Sequence, residues 1–210
     1  VKPYYEHNGI SIFHGDCRDV LTHLPGFPVI ISDPPYGIDY KPLRGSNGSK
    51  MWCDETVHGD DADFDPRWLL SEQFAGCLLW GANHYSHLLP PSRGWLCWDK
   101  TTSGIREGFI YSHFELAWTN LTTRAHKFNL NWQGSDRNED FFHPTQKPIP
   151  LMEWCVGFAA AELPIVDPYM GSGTTLIAAK NLGRRAVGIE IEEKYAEIAA
   201  KRLSQEVFQF

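Results

Sequence analysis

Short apolar runs separated by polar, glycine-rich or proline-rich breaks set the rhythm of this chain, and near its start they predict a strand, a loop and a helix. Ile10-Ser11-Ile12-Phe13 alternates as a strand does, His14-Gly15-Asp16 turns, and Cys17 to Leu24 carries Val20, Leu21 and Leu24 at helical spacing. After Pro25-Gly26 comes Val29-Ile30-Ile31-Ser32, a short apolar run of the kind found in buried parallel strands. It ends at Asp33-Pro34-Pro35-Tyr36, which places this tetrapeptide at the C-terminal end of a strand, where open α/β sheets bind ligands.

Residues 37–65 have few apolar positions and read as a long loop, either a mobile surface segment or one that closes over a ligand. The pattern then predicts a helix around Trp68 to Phe74, a strand at Cys77 to Trp80, a short helix around Tyr85 to Leu89, and strands at Trp95 to Trp98 and Phe114 to Trp118. Thr119 to Phe142 is polar, shows no sustained period and reads as irregular. The last third is clearer: helix Pro150 to Ala161, strand Ile165 to Asp167, a glycine loop, helix Thr174 to Leu182, strand Ala186 to Glu190 and helix Glu192 to Leu203 form a βαβα unit. The expectation is one α/β domain over residues 1–210, with a mostly parallel central sheet and helices on both faces.

Composition agrees with a folded globular chain, at 42% hydrophobic and 13% aromatic residues. Most of the tryptophans, among them Trp80, Trp95, Trp98 and Trp118, fall in or beside expected core strands. The cysteines (Cys17, Cys53, Cys77, Cys97, Cys155) are odd in number and form no CxxC pair, so neither a zinc site nor a disulfide framework is indicated, and a reducing cytoplasm fits best. His84 and His87 lack a third ligand nearby, so no metal is expected. No run approaches the roughly 18 apolar residues of a membrane span. A net charge of −7 is awkward for a nucleic-acid partner, but six acids crowd positions 54–65 while Lys41, Arg44 and Lys50 lie just before them, so the charge is segregated.

Two stretches carry chemistry. A strand ending in Asp167, followed by Gly171-Ser172-Gly173 and a helix, lets a ligand approach bare backbone at a helix N-terminus. Glu190 ends the next strand, a position from which an acid hydrogen-bonds ribose hydroxyls. Leu176 stands where a dinucleotide fold wants a third glycine, and no Gly-Lys-Ser/Thr follows, so an adenosine cofactor without a critical phosphate fits better. Taken alone, Gly-x-Gly is also an ordinary structural turn, and Asp33-Pro34-Pro35-Tyr36 an ordinary proline turn. It is their joint presence that argues for a site.

Asp167-Pro168-Tyr169-Met170-Gly171-Ser172-Gly173-Thr174 resembles the S-adenosylmethionine loop of the amino-methyltransferases, with Tyr169 for the usual Phe. Together with His14-Gly15-Asp16-Cys17, Asp33 to Tyr36, Gly94 to Trp98 and His143-Pro144-Thr145-Gln146-Lys147-Pro148, it makes most of the chain similar to the N6-adenine/N4-cytosine DNA methyltransferases of permuted, beta-type motif order. The resemblance implies a Rossmann-like methyltransferase fold, S-adenosylmethionine as cofactor and DNA as substrate. By position it assigns Asp16 and the Cys17 backbone to the cofactor adenine, Glu190 to its ribose, and Asp167, Tyr169, Gly171, Ser172, Gly173 and Thr174 to the methionine end, with Thr145 and Lys147 near the cofactor carboxylate. Asp16 is equally suited to cap the helix that follows it.

The implied chemistry suits the residues. An exocyclic amine conjugated into a base is a poor nucleophile, and a carboxylate at Asp33 with the Pro34 carbonyl can each accept an amino hydrogen and localise the lone pair. The prolines, Pro34 and Pro35, fix that carbonyl, and Tyr36 offers a ring to a base flipped from the duplex or already single-stranded. Asp at position 33 resembles the adenine branch; cytosine N4, RNA, and an inactive scaffold with the same fold stay open, though intact Asp33, Tyr36, Gly171, Gly173 and Glu190 argue against the last. Lys41, Arg44, Lys50, Arg124 and Lys127 are the candidate DNA contacts. Residues 119–142 are a short span for a recognition region, which predicts a short or relaxed target sequence, or specificity completed by a second copy in a homodimer.

Overall fold

A computed structural model describes residues 2–26, 28–41, 56–101, 104, 112–132, 140 and 142–205. In chain order the strands are β1 (Tyr5–His7), β2 (Ile10–His14), β3 (Val29–Ser32), β4 (Gly76–Trp80), β5 (Gly94–Asp99), β6 (Phe114–Thr119), β7 (Ala125–Asn129), β8 (Ile165–Asp167) and β9 (Ala186–Glu190). The helices are α1 (Cys17–Leu21), α2 (Ile149–Val156), α3 (Thr174–Asn181) and α4 (Glu193–Ser204). The described strands form one sheet in the order β1-β2-β9-β8-β3-β4-β6-β5-β7.

Its centre, from β2 to β4, is parallel throughout. These strands are apolar on both sides because both sides are covered. Ile31, Leu78 and Ile165 point into a core shared with Leu151 and Cys155 of α2, Leu176 of α3 and Ala199 of α4. Their neighbours Ile30, Leu79 and Val166 point the other way, toward Val20 and Leu21 of α1 and toward Phe64, Leu69 and Tyr85. The period of two thus divides each central strand between two cores. This is the Rossmann-like methyltransferase architecture expected from the sequence, with α2, α3 and α4 on one face and α1 on the other.

The topology marks where an open α/β sheet of this kind takes a ligand. From β8 the chain crosses to β9 on one side, whereas from β3 it crosses to β4 on the other, although β8 and β3 are neighbours. The switch point lies between them, and there the C-terminal ends of β3 and β8 present Asp33 and the glycine loop side by side.

The structure departs from the pattern-based reading in places. The segment expected to be helical around Trp68 is a 3-10 helix, Pro66–Leu70, capped by Asp65 and started by Pro66. The one expected around Tyr85 is a 3-10 turn, Ser86–Leu88, with Pro90 and Pro91 just beyond. Helix α2 stops at Val156, before Gly157, rather than at Ala161, and α1 ends at Leu21 rather than Leu24. The stretch read as irregular contains β7, an edge strand parallel to β5 whose Lys127 and Asn129 face solvent while His126 packs on Phe158 and Phe128 on Trp154. Strand β1, not expected, pairs with β2 through Asn8-Gly9, both at positive φ.

Candidate active site

Beyond β3, two prolines hold the chain extended and turn the Asp33 carboxylate and the Tyr36 ring toward each other. Tyr36 Oη donates to Asp33 Oδ1 at 2.5 Å, and Lys147 Nζ donates to Asp33 Oδ2 at 2.5 Å and to Tyr36 Oη at 3.1 Å. The Tyr36 ring lies parallel to the His84 imidazole, with centroids 5.2 Å apart. Behind it sits Gly81, at φ +70°, where a Cβ would come within 2.0 Å of the tyrosine ring. Burial pushes the Asp33 carboxyl above the usual carboxylate range, with Lys147 pulling against it. Lys147 is itself held above the ordinary lysine value: burial acts to lower it, but Asp33 and Glu115 outweigh burial.

Sequence reasoning missed Glu115, Lys100, Asp60, Gln146 and Arg202. Glu115, in β6, lies 3.1 Å from Lys147 Nζ through Oε2 and pairs through Oε1 with Lys100. Burial works to raise the Glu115 carboxyl, yet the two ammonium groups bring it down to about 2. One signal was available, since Glu115 is a charge inside an apolar strand and such a charge needs a partner. Asp60 is 4% exposed and accepts the backbone N–H groups of Tyr36 (2.7 Å), Gly37 (2.9 Å) and Tyr40 (2.7 Å). The expected long loop is therefore pinned at its base, and Phe64 near its far end is in the core. Gln146 and Arg202 hold the glycine loop: Ser172 Oγ donates to Gln146 Oε1 at 3.1 Å, and an Arg202 Nη donates to the Ser172 carbonyl at 2.6 Å.

At the other end of the crevice, Asp16 caps α1 by accepting the Arg18 N–H at 2.8 Å. Burial pushes the Cys17 thiol up to about 11, making it neutral wall rather than nucleophile. Glu190 accepts the Gly171 N–H at 2.9 Å and the Glu192 N–H at 2.8 Å, which leaves lone pairs on both oxygens. Gly173, at φ +83°, starts α3 so close to α4 that a Cβ would meet Ala199 at 2.7 Å. Asp167 accepts from Ser32 Oγ (2.6 Å), Thr175 Oγ1 (2.5 Å) and the Tyr169 N–H (3.1 Å), bracing the loop against β3.

Burial pushes the Asp167 carboxyl to about 6, against those three donors, from an ordinary value of 3.8. The folded chain therefore binds this proton more tightly than the unfolded one, and the resulting stabilisation is full below about pH 4 and lost as pH rises through about 6. Relative to wild type, Asp167→Asn is expected to gain stability between about pH 4 and 7, by up to about 3 kcal/mol. Urea unfolding at each pH measures this; a constant difference would mean that Asp167 stays ionised throughout.

One cavity of about 610 Å³ joins these parts. Asp16, Cys17, Asp33, Pro34, Pro35, Tyr36, Thr145, Lys147, Tyr169, Gly171 and Glu190 all line it, as do His84 and Glu115. Ser172, Thr174 and Asp167 line a small recess beside it, together with Asp33 and Lys147. The proposed DNA contacts are not gathered there: Lys41 is exposed and pairs with Asp39, Arg124 is exposed beside β7, and Lys127 pairs with Asp99 at 2.8 Å. Arg44 and Lys50 lie outside the described residues. Among the described residues no group of three or more His, Cys, Asp or Glu is arranged to hold a metal, and no helix is long and apolar enough to cross a membrane.

Residues 111–201 match the N6/N4 methyltransferase family model, described as DNA methylase. The type II methyltransferase M2.LlaDCHI of Lactococcus lactis subsp. cremoris is 26% identical over 97% of this chain and 93% of its own length. The chain is therefore similar to DNA methyltransferases over nearly its whole length, with the N6/N4 family model matching its C-terminal part. The segment that matches the family model holds Glu115, Lys147 and the glycine loop, while Asp33 lies outside it and is tied to it by the contacts above. The Lactococcus alignment spans 249 positions against 210 residues here, so that relative carries residues this chain lacks. Among solved structures, the PvuII cytosine-N4-specific DNA methyltransferase superposes with a TM-score of 0.69 at 14% identity, covering 99% of this chain and 91% of that one. The M1.HpyAVI–SAM complex gives 0.55 at 22% identity over 92% and 99%.

Proposed function

We propose that this chain transfers the methyl group of S-adenosylmethionine to an exocyclic amine of a flipped DNA base, adenine N6 in the first instance. The observation that carries the reading is the single cavity lined by both Asp33 to Tyr36 and the Gly171–Glu190 end. The residues fit the cofactor: Gly171 presents a bare backbone at φ +52°, Glu190 keeps lone pairs for hydroxyl groups, and Asp16 stands exposed at the rim. When bound, the cofactor supplies an electrophilic methyl on a sulfonium. Asp33 and the Pro34 carbonyl accept the amino hydrogens and direct the nitrogen lone pair; Tyr36 stacks on the base; and the β3–β8 crevice excludes water from the reacting atoms. The Asp33 carboxylate favours adenine, and residues 119–142, with β7 inside them, are the proposed recognition segment.

The test is to incubate the protein with labelled S-adenosylmethionine and duplex DNA, then identify the nucleoside by mass spectrometry. N6-methyladenine is expected. N4-methylcytosine would overturn the adenine assignment alone, and the absence of any labelled base would overturn the reading.

A further inference from the structure

Two lysines and two carboxylates alternate through the catalytic corner, Asp33 to Lys147 to Glu115 to Lys100, and they come from four separate parts of the chain. The lysine side chains are only 7% and 12% exposed. Lys147 by itself balances the charge of Asp33, so the outer pair contributes geometry and field rather than neutrality. The ammonium of Lys147 donates to Asp33 Oδ2 at 2.5 Å and to Tyr36 Oη at 3.1 Å, and forms an ion pair with Glu115, whose Oε2 lies 3.1 Å away. Remove Glu115 and two buried cations are left facing a single buried carboxylate, an arrangement that is costly.

We infer that Glu115, held in place by Lys100, is a positioning residue for the transfer step, fixing the Lys147 ammonium on Asp33 and offsetting part of its charge. This rests on the methyl-transfer reading above. As the amine nitrogen forms its new N–C bond, the sulfur retains the C–S electron pair and the amine sheds one proton, for which Asp33 is the acceptor in reach. An Asp33 facing an uncompensated Lys147 would be a weaker acceptor. The other titratable groups around Asp33 are Tyr36, with His84 stacked on it, Tyr85 beyond β4 and Asp167 at the end of β8.

The test is the pH profile of single-turnover methyl transfer by the intact chain on duplex DNA, from about pH 5 to about pH 9, with cofactor affinity measured by calorimetry. Glu115→Gln removes a negative charge, so the acid limb is expected to move down by roughly half to one pH unit and the plateau rate to fall about tenfold, with cofactor affinity unchanged. Lys100→Met removes a positive charge and is expected to move the limb the opposite way, while Lys100→Arg restores it. Should Glu115→Gln not fold, the two Lys100 variants decide. Limbs that stay at the wild-type position, or that move in the same direction for both charge removals, would overturn the inference. Wild-type protein that labels no DNA would instead overturn the functional reading.

Discussion

Asp33→Ala is expected to lower kcat/KM for methyl transfer by about 10³-fold or more while leaving S-adenosylmethionine binding intact. Losing one oriented hydrogen-bonding group at a reacting centre costs about 10²–10³-fold on its own. Here the same carboxylate is also the proposed proton acceptor, so the two losses compound. Cofactor affinity is expected to hold because the hydrogen bonds of Asp33 go to Tyr36 and Lys147 rather than to the glycine loop or Glu190. Breaking a buried ion pair commonly costs about 3–5 kcal/mol when a charge is stranded. Lys147 keeps Glu115 and the Tyr36 hydroxyl, so the stability loss should fall below that range. Labelled-methyl assays, calorimetric cofactor titration and urea unfolding separate the three quantities. A variant retaining most of its transfer rate would remove Asp33 from the chemistry.

What was legible in the sequence follows how local each determinant is. The apolar run of β3, the Asp167 strand and the glycine turn announce themselves within a few residues, and the strand-end position of Asp33 follows from them. The cavity-lining residues of the two motifs needed only the topology to bring them together. Glu115 and Lys100 were illegible as a pair because β6 and β5 become neighbours only through antiparallel pairing, and nothing near either residue names the other. Asp60 was hidden for a different reason. It is one of six acids in a run that reads as a solvated cluster, and only its position beneath the Tyr36 to Tyr40 backbone distinguishes it. The edge strand β7 was lost because half of its residues face water, so its composition looks like that of a loop. Asn8-Gly9 was a local turn signal, and an adequate one, for the β1–β2 hairpin.

Gly81 offers the sharpest test of whether Tyr36 must stand where it does. The residue follows β4, and a methyl group on it would lie 2.0 Å from Tyr36 Cε1 and 2.4 Å from Cζ. Real carbon atoms do not approach so closely, so in Gly81→Ala the ring must leave its seat, taking with it the hydroxyl that bonds Asp33 and the face stacked on His84. We expect transfer to fall by about 10²-fold or more through loss of base positioning. Overpacking of this kind adds about 1–3 kcal/mol of destabilisation, or about 2–12 °C in Tm for a chain of this size. The positive φ of +70° carries a separate penalty of about 1–2 kcal/mol for any L side chain. Gly183→Ala separates the two effects: its φ is +64°, yet nothing lies within 4 Å of the added Cβ. That variant should lose stability through backbone strain alone and keep its transfer rate. If both variants lose transfer equally, strain rather than the Tyr36 seat is responsible. If Gly81→Ala transfers at the wild-type rate, the position of the Tyr36 ring does not matter to the reaction.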